Sequence, residues 1–156
     1  MITKVLGTSF TISSTDDSQQ VVVRVRTGRV SVYSQQEKNL ADPETGGVVL
    51  LPNQQAIYHR EKQQLSRKLV ANPLPVVSSP AAIRYEDTPA AKVFRDIENK
   101  YGIHLIYNEE NLKNCFITTS ISDEPLYDTM DLVCRIIGAT YKEVDAQLVI
   151  DSKGCQ

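Results

Sequence analysis

His104 and Cys115 are the residue types of a thiol–imidazole nucleophile. Such a thiol needs an exposed, electropositive setting with its base within hydrogen-bond reach. Periodicity puts the two in separate strands and turns Cys115 toward the core, where a thiol behaves as a small hydrophobe. The pair is therefore expected to be structural. His59 has no partner suggested by the sequence and is expected on a strand surface. A Cys115–Cys134 bridge is the second possibility. It would need Cα atoms within roughly 7 Å, and a strand and a helix packed face to face lie farther apart than that. Two reduced, buried thiols are expected, with Cys155 in a disordered polar tail. Three cysteines without metal-ligand spacing suggest no metal centre. Asp87-Thr88-Pro89 and Asp123-Glu124-Pro125 read as helix starts. Thr88, and Asp123 or Ser122, would cap, with Pro89 and Pro125 at first helical positions, where a missing N–H costs nothing. Glu109-Glu110 reads as a solvated turn. No catalytic residue, cofactor or metal is expected, and the chain is not expected to be an enzyme.

The elements that hold these residues repeat. Asp87 and Asp123, Pro89 and Pro125, and Gly102 and Gly138 are each separated by 36 positions. Each copy reads as a strand, a helix opened at proline, a glycine stop and another strand. Ala90, Val93, Phe94, Ile97 and Tyr101 form one apolar stripe; Leu126, Met130, Val133, Cys134 and Ile137 form the other. Gly102 and Gly138 suit the left-handed residue that ends a helix. Ile83–Tyr85, Ile103–Tyr107, Cys115–Ile121, Thr140–Val144 and Gln147–Ile150 read as strands. Asn108–Asn114 reads as a polar turn, and Asp145-Ala146 as the turn of a terminal hairpin. The predicted order is β-α-β-β-α-β-β over residues 83–150, followed by a tail, 151–156.

Residues 1–70 carry almost no helical periodicity. Val21, Val23 and Val25 fall on one face of a strand, with Val22, Arg24 and Arg26 on the other. Thr27-Gly28 separates this run from Arg29–Tyr33, as in a tight hairpin. Gln35–Gly47 reads as a mobile loop. Further strands are expected near Thr8–Ile12, Val48–Leu51, Gln55–His59 and Leu65–Val70. The fold class is α+β: an all-β region, as a partial sandwich or a solenoid, then the αβ half. Between them, the prolines and serines of 71–82 read as an extended linker.

Composition bounds the function. A chain of 156 residues allows one domain or two small ones. A net charge of −2 leaves no electrostatic footprint for nucleic acid. An RNA-recognition sheet would need stacked aromatics and a basic motif on its third strand, and Cys115–Thr119 offers one aromatic and no basic residue. The Gly-x-x-Gly loop of a KH domain is also missing. No run approaches the ~18 apolar residues of a membrane span. No signal peptide precedes the first strand, so the protein is either cytoplasmic or begins at an artificial Met1 that removed an anchor.

Several segments resemble the periplasmic region of FecR-type anti-sigma factors: Val5-Leu6-Gly7-Thr8-Ser9-Phe10, Val23–Val30 and Leu51-Pro52-Asn53-Gln54-Gln55-Ala56. Asn53 stands where that family usually has Gly, and Asn also visits left-handed geometry. Tyr85–Pro89, Lys100–Ile103, Asn114–Thr118 and Ile137–Tyr141 resemble the C-terminal domain of the family's Bacteroidetes branch, which is similar to the short N-terminal signalling domain of secretins and TonB-dependent transducers. The resemblance implies a single-pass inner-membrane protein with a periplasmic sensory part. That part would relay the state of an outer-membrane TonB-dependent receptor by binding its signalling domain. An extracytoplasmic-function sigma factor would be held through a segment absent here, and membrane contact made only through an absent helix. The alternative is a structural domain of a secretin-like envelope assembly.

Partner-binding candidates follow. Ile106 and Phe116 lie opposite the core-facing residues of their strands. They form either an apolar docking patch or part of a second internal layer; the related signalling domains sandwich their helices between two small sheets, which favours the layer. Arg24 and Arg26, with Arg29, form either a cationic strip for an acidic partner or the solvated face of a strand, where edge charges discourage unwanted pairing.

Overall fold

The computed structural model describes residues 1–5, 7–14, 19–33, 47–79 and 81–155. The chain divides into two compact units, Met1–Val70 and Ala71–Gln156.

The first unit is a β-sandwich. Strands β1 (Ile2–Val5), β4 (Val30–Tyr33) and β5 (Val48–Leu50) form a sheet in the order β1-β4-β5. Strands β2 (Ser9–Ser14), β3 (Gln20–Thr27), β6 (Gln54–His59) and β7 (Gln64–Leu69) form another, in the order β2-β3-β6-β7. Their inner faces share one core: Val23, Val25 and Ala56 from the larger sheet meet Val30, Val32 and Leu50 from the smaller. A solenoid is thereby ruled out. The alternation of β3 is as expected, with Val21, Val23 and Val25 buried and Arg24 and Arg26 exposed.

The hairpin expected at Thr27-Gly28 does not form. β3 pairs with β2 and β6, whereas β4 pairs with β1 and β5. Gly28, at φ +81°, instead turns the chain from one sheet into the other. Its missing Cβ leaves room for Thr8, whose methyl carbon any side chain there would overlap. A Gly between two apolar runs thus marks a sandwich corner as readily as a hairpin. Asn53 does adopt left-handed geometry, at φ +68°. Leu6, residues 35–46 of the expected mobile loop, Pro80 of the expected linker and Gln156 of the expected tail lie outside the described residues.

The second unit runs β8 (Ile83–Pro89), α1 (Ala90–Tyr101), β9 (Leu105–Ile106), α2 (Glu109–Leu112), β10 (Phe116–Ile121), α3 (Leu126–Ile137), β11 (Thr140–Val144), β12 (Gln147–Asp151). β8 and β10 form one antiparallel sheet. The other has the order β11-β12-β9, with β9 parallel to β12. Both stripes are buried as expected. Gly102 and Gly138 close their helices at φ +65° and +67°. The polar turn at 108–114 contains the short α2, whose Asn108 side chain accepts a hydrogen bond from the Glu110 N–H at 2.9 Å; Glu109 and Glu110 form its acidic first turn.

The helix starts differ from expectation. Neither Thr88 nor Asp123 nor Ser122 caps, and Pro89 and Pro125 occupy the N-cap rather than the first helical position. Neighbouring backbone does the capping. The Ala90 N–H donates to the Cys115 carbonyl, and the Leu126 N–H to the Pro73 carbonyl, each at 2.9 Å. Thr88 is held in the β8–β10 ladder opposite Ile117, and Glu124 folds back onto the Ser122 N–H and hydroxyl. With an orphan N–H already satisfied, a side-chain cap has less to add.

Candidate partner-binding surfaces

The segment expected as a linker belongs to the second unit and works as a strap. The Val76 and Val77 N–H groups donate to the Lys100 carbonyl at the end of α1, at 2.8 and 3.2 Å. Pro73 is buried and serves the start of α3 through its carbonyl. Asp123 gathers the remaining polar groups. Its carboxylate accepts from Lys100 Nζ at 2.8 Å, the Ser78 hydroxyl at 2.7 Å and the Ser79 N–H at 3.3 Å. The hydrogen bond from Lys100, seconded by those from Ser78 and Ser79, holds the Asp123 pKa down at about 2. This arrangement explains a buried lysine, only 6% exposed, on an apolar helix stripe. The nearby hollow lined by Val77, Ser79, Ile83, Asp96, Asn99 and Lys100 is backed by that pair, so its one ammonium group is already engaged.

The cysteines are arranged differently from expectation. Cys115 is bonded to Cys155, with Cα atoms 5.1 Å apart, and buried Cys134 is the free thiol. The polar tail is ordered through residue 155 because it is tied on three sides. The Asn111 side-chain amide donates to the Ser152 carbonyl at 3.0 Å, the Gly154 N–H donates to the Ser152 hydroxyl at 3.1 Å, and the bridge fixes Cys155. Ser152 is buried as a result. Cys115 and Cys134 are both buried as expected, but only Cys134 is reduced; the expectation of a reduced Cys115 and a disordered Cys155 is overturned by their bridge. An odd cysteine count in a chain resembling periplasmic proteins was the missed signal, since that compartment favours disulfides. Burial, then the nearby Asp131 carboxylate, raises the Cys134 pKa to about 11, so this thiol stays protonated.

With Cys115 in a disulfide, no thiol faces His104. That histidine is exposed and sits 3.2 Å from a Glu98 carboxylate oxygen. His59 lies 3.3 Å from the side-chain nitrogen of Gln20, its cross-strand neighbour. Among the described residues no group of His, Cys, Asp and Glu could hold a metal ion. None of their helices is long and apolar enough to cross a membrane. Buried hydroxyls of the second unit are hydrogen-bonded within it. Tyr101 is fully buried; its hydroxyl donates to the Glu124 carbonyl at 2.6 Å and shares a 2.8 Å hydrogen bond with Thr129. Tyr127 and Tyr141 stack at 6.3 Å, and the Tyr141 hydroxyl donates to Asp131 at 2.6 Å. Burial, then Glu143, pushes the Tyr127 pKa up to about 12.

The partner-binding candidates are on the surface. Ile106 is 42% exposed and Phe116 49%, so they are not covered by a second internal layer. Their neighbours Leu105, Cys115 and Ile117 are the buried residues of these stretches. The two residues sit on different sheets: Ile106 lies beside Val149 on β12, and Phe116 beside Pro89 on β8. Leu132 and Ile136, one turn apart on the outer side of α3, are also exposed and were not singled out from the sequence. In the first unit, Arg24 and Arg26 occupy β3, an interior strand; Arg24 is paired on both sides, to Thr11 and Gln55, so it does not guard a sheet edge, and Arg26 lies at the β2–β3 bulge.

Residues 82–150 match the family model described as FecR, C-terminal. This segment is similar to the C-terminal domain of FecR. No curated protein matches the chain. Two crystal structures of a protein from Parabacteroides distasonis ATCC 8503, provisionally assigned as an anti-sigma factor, are similar to it at 20% identity and a TM-score of 0.43. The alignment covers 96% of this chain and 66% of that one, a likeness too distant to carry a functional argument.

Proposed function

We propose that this chain is the periplasmic sensory part of a single-pass inner-membrane anti-sigma factor. It relays the state of an outer-membrane TonB-dependent receptor by binding that receptor's signalling domain. The extracytoplasmic-function sigma factor is held by a segment that these residues do not include. The observation that carries this reading is the FecR C-terminal match over 82–150. The Cys115–Cys155 bridge supports an oxidising compartment such as the periplasm. Ile106 and Phe116 supply apolar groups for docking, and open sheet edges such as that of β10 can take a partner strand through backbone hydrogen bonds. The family match is to FecR, which favours this reading over the secretin-like alternative.

The test is a titration of isotope-labelled protein with the signalling domain of the receptor encoded beside it. Resonances of residues 83–150 should shift, and Ile106→Arg or Phe116→Arg should weaken binding about tenfold, the effect of losing roughly 1.4 kcal/mol at an interface. An unchanged spectrum at high micromolar partner would sink the proposal.

A further inference from the structure

The net charge of −2 hides two units of opposite sign. Residues 1–70 carry nine Lys and Arg against six Asp and Glu, and residues 71–156 carry eight against thirteen. Within the first unit, none of the four strands of the larger sheet contains Asp or Glu. Side chains alternate between the faces of a strand. The inward set is the core described above. The outward set is polar and cationic, led by Arg24 and Arg26 on β3 and Lys68 on β7, all exposed.

Two features distinguish this face from an ordinary solvated one. First, Arg24 is paired on both sides, to Thr11 on β2 and Gln55 on β6, where no exposed backbone edge requires a guard. Second, Arg24 is positioned. Its Nε donates to the Gln55 side-chain oxygen at 3.0 Å, and the Gln55 amide nitrogen donates to the Leu69 carbonyl at 3.3 Å. Gln55 is 7% exposed, so a buried amide on β6 holds the guanidinium from behind. The Arg24 terminal nitrogens then remain as a preset fork for a carboxylate. Among the described residues, no carboxylate forms a salt bridge with Arg24, Arg26 or Lys68.

Spacing defines the occupant. Arg24 and Arg26 are two residues apart on β3, where the regular repeat is about 6.6–6.8 Å between Cα atoms and Arg26 is the extra residue of a β-bulge against β2. Alternate carboxylates on an extended segment have the same repeat. Arg24, Gln55 and Lys68 lie in one cross-strand row, so Lys68 offers a third cation about 10 Å away. In the neighbouring row Val22 and Ile57 are half-buried, an apolar floor next to the charges. No exposed aromatic or large apolar group projects from these rows to insert into a bilayer, which argues against a membrane surface as the occupant. We propose that the outer face of the four-stranded sheet binds an extended acidic polypeptide segment with Asp or Glu at alternate positions, its carboxylates received by Arg24, Arg26 and Lys68. This concerns the β unit and stands or falls separately from receptor docking by the αβ unit.

The experiment uses the full chain and a fluorescein-labelled peptide of alternating Glu and Ser, read by anisotropy. The Arg24→Gln, Arg26→Gln, Lys68→Gln triple variant should bind about tenfold more weakly, because three exposed ion pairs together contribute about 1.4 kcal/mol. A charge-matched variant at turn positions, Arg29→Gln, Arg60→Gln, Lys62→Gln, should bind as the unaltered chain does. A peptide of the same composition with its glutamates in one block should bind more weakly than the alternating one. Equal loss in the two triple variants, or equal binding of the two peptides, overturns the proposal. So does binding confined to phosphatidylglycerol vesicles, or self-association of the chain that the Arg24, Arg26, Lys68 variant abolishes.

Discussion

The Cys115–Cys155 bridge supports a quantitative prediction. Its two ends are 40 residues apart in sequence. A cross-link closing a loop of that length removes about 13 cal/mol/K of entropy from the unfolded chain, or about 4 kcal/mol at 25 °C. Cys155→Ser, or reduction by excess dithiothreitol, should destabilise the Ala71–Gln156 unit by about that amount. For a unit of this size each kcal/mol shifts the midpoint by about 4–8 °C, so the melting temperature should fall by roughly 15–30 °C. Urea unfolding followed by circular dichroism, with the first unit's transition fitted separately, measures the difference. Thiol titration in urea without reductant should find a single reactive thiol, from Cys134, and all three cysteines after reduction. Three thiols before reduction would refute the bridge. A stability loss below about 1 kcal/mol with the bridge confirmed would refute the loop-entropy reasoning.

Other perturbations test the strap and the helix ends. The Asp123 pKa is lowered from 3.8 to about 2 on folding, so its contribution is full above pH 4 and is lost as pH falls through about 2. Acid titration of Asp123→Asn, followed by circular dichroism, should accordingly show a flatter stability profile between pH 4 and 2 than the parent. Tyr101→Phe strands the Thr129 hydroxyl in a buried site and should cost about 1–3 kcal/mol in urea unfolding, with no change in circular dichroism at neutral pH. Gly138→Ala meets no atom within 4 Å and should cost only the left-handed penalty, about 1–2 kcal/mol. Gly102→Ala should cost more in the same assay, because its added Cβ would lie 3.2 Å from the Val76 methyl carbon of the strap.

Local signals were legible where one element's own periodicity decides its burial. The stripes of α1 and α3, the left-handed Gly102 and Gly138, and the inward Val21, Val23 and Val25 depend on spacing within a single element, and spacing is what a sequence displays. The failures all involve pairs of elements. Whether Gly28 joins a hairpin or turns a sandwich corner depends on which strands β3 and β4 choose as neighbours. The N-terminal groups of α1 and α3 were satisfied by Cys115 and Pro73 carbonyls from outside the helix, so Thr88 and Asp123 were released from capping. Cys155 looked disordered because nothing nearby in sequence holds it; Cys115 and Asn111 do. Of the partner-binding residues, exposure of Arg24 and Arg26 followed from alternation, whereas exposure of Ile106 and Phe116 depended on whether another layer covers them.

The strap also shows why the duplicated arrangement does not make two equal sites. Each copy presents one helix with an N-terminal donor set and a C-terminal acceptor set. The strap is one chain running in one direction, and it meets complementary ends of the two copies. It gives N–H groups to the end of α1 and a carbonyl to the start of α3. Asp123, the second copy's equivalent of Asp87, then accepts from Lys100 of the first copy and from Ser78 and Ser79 of the strap. Asp87 makes no such set; its backbone N–H donates to the Thr118 hydroxyl at 2.9 Å, at the register shift between β8 and β10, where its φ is +46°. The same residue type at the same offset therefore serves a clamp in one copy and a strand irregularity in the other. Tension on the chain at residue 71 would load the Lys100–Asp123 pair and the two helix ends together, so those contacts should break as a unit rather than singly. Hydrogen exchange can check this in the intact chain: the Val76, Val77 and Leu126 amides should share one opening free energy, and Asp123→Asn should lower all three alike. Separate values for Leu126 and for Val76 and Val77 would mean that the strap fastens each helix independently.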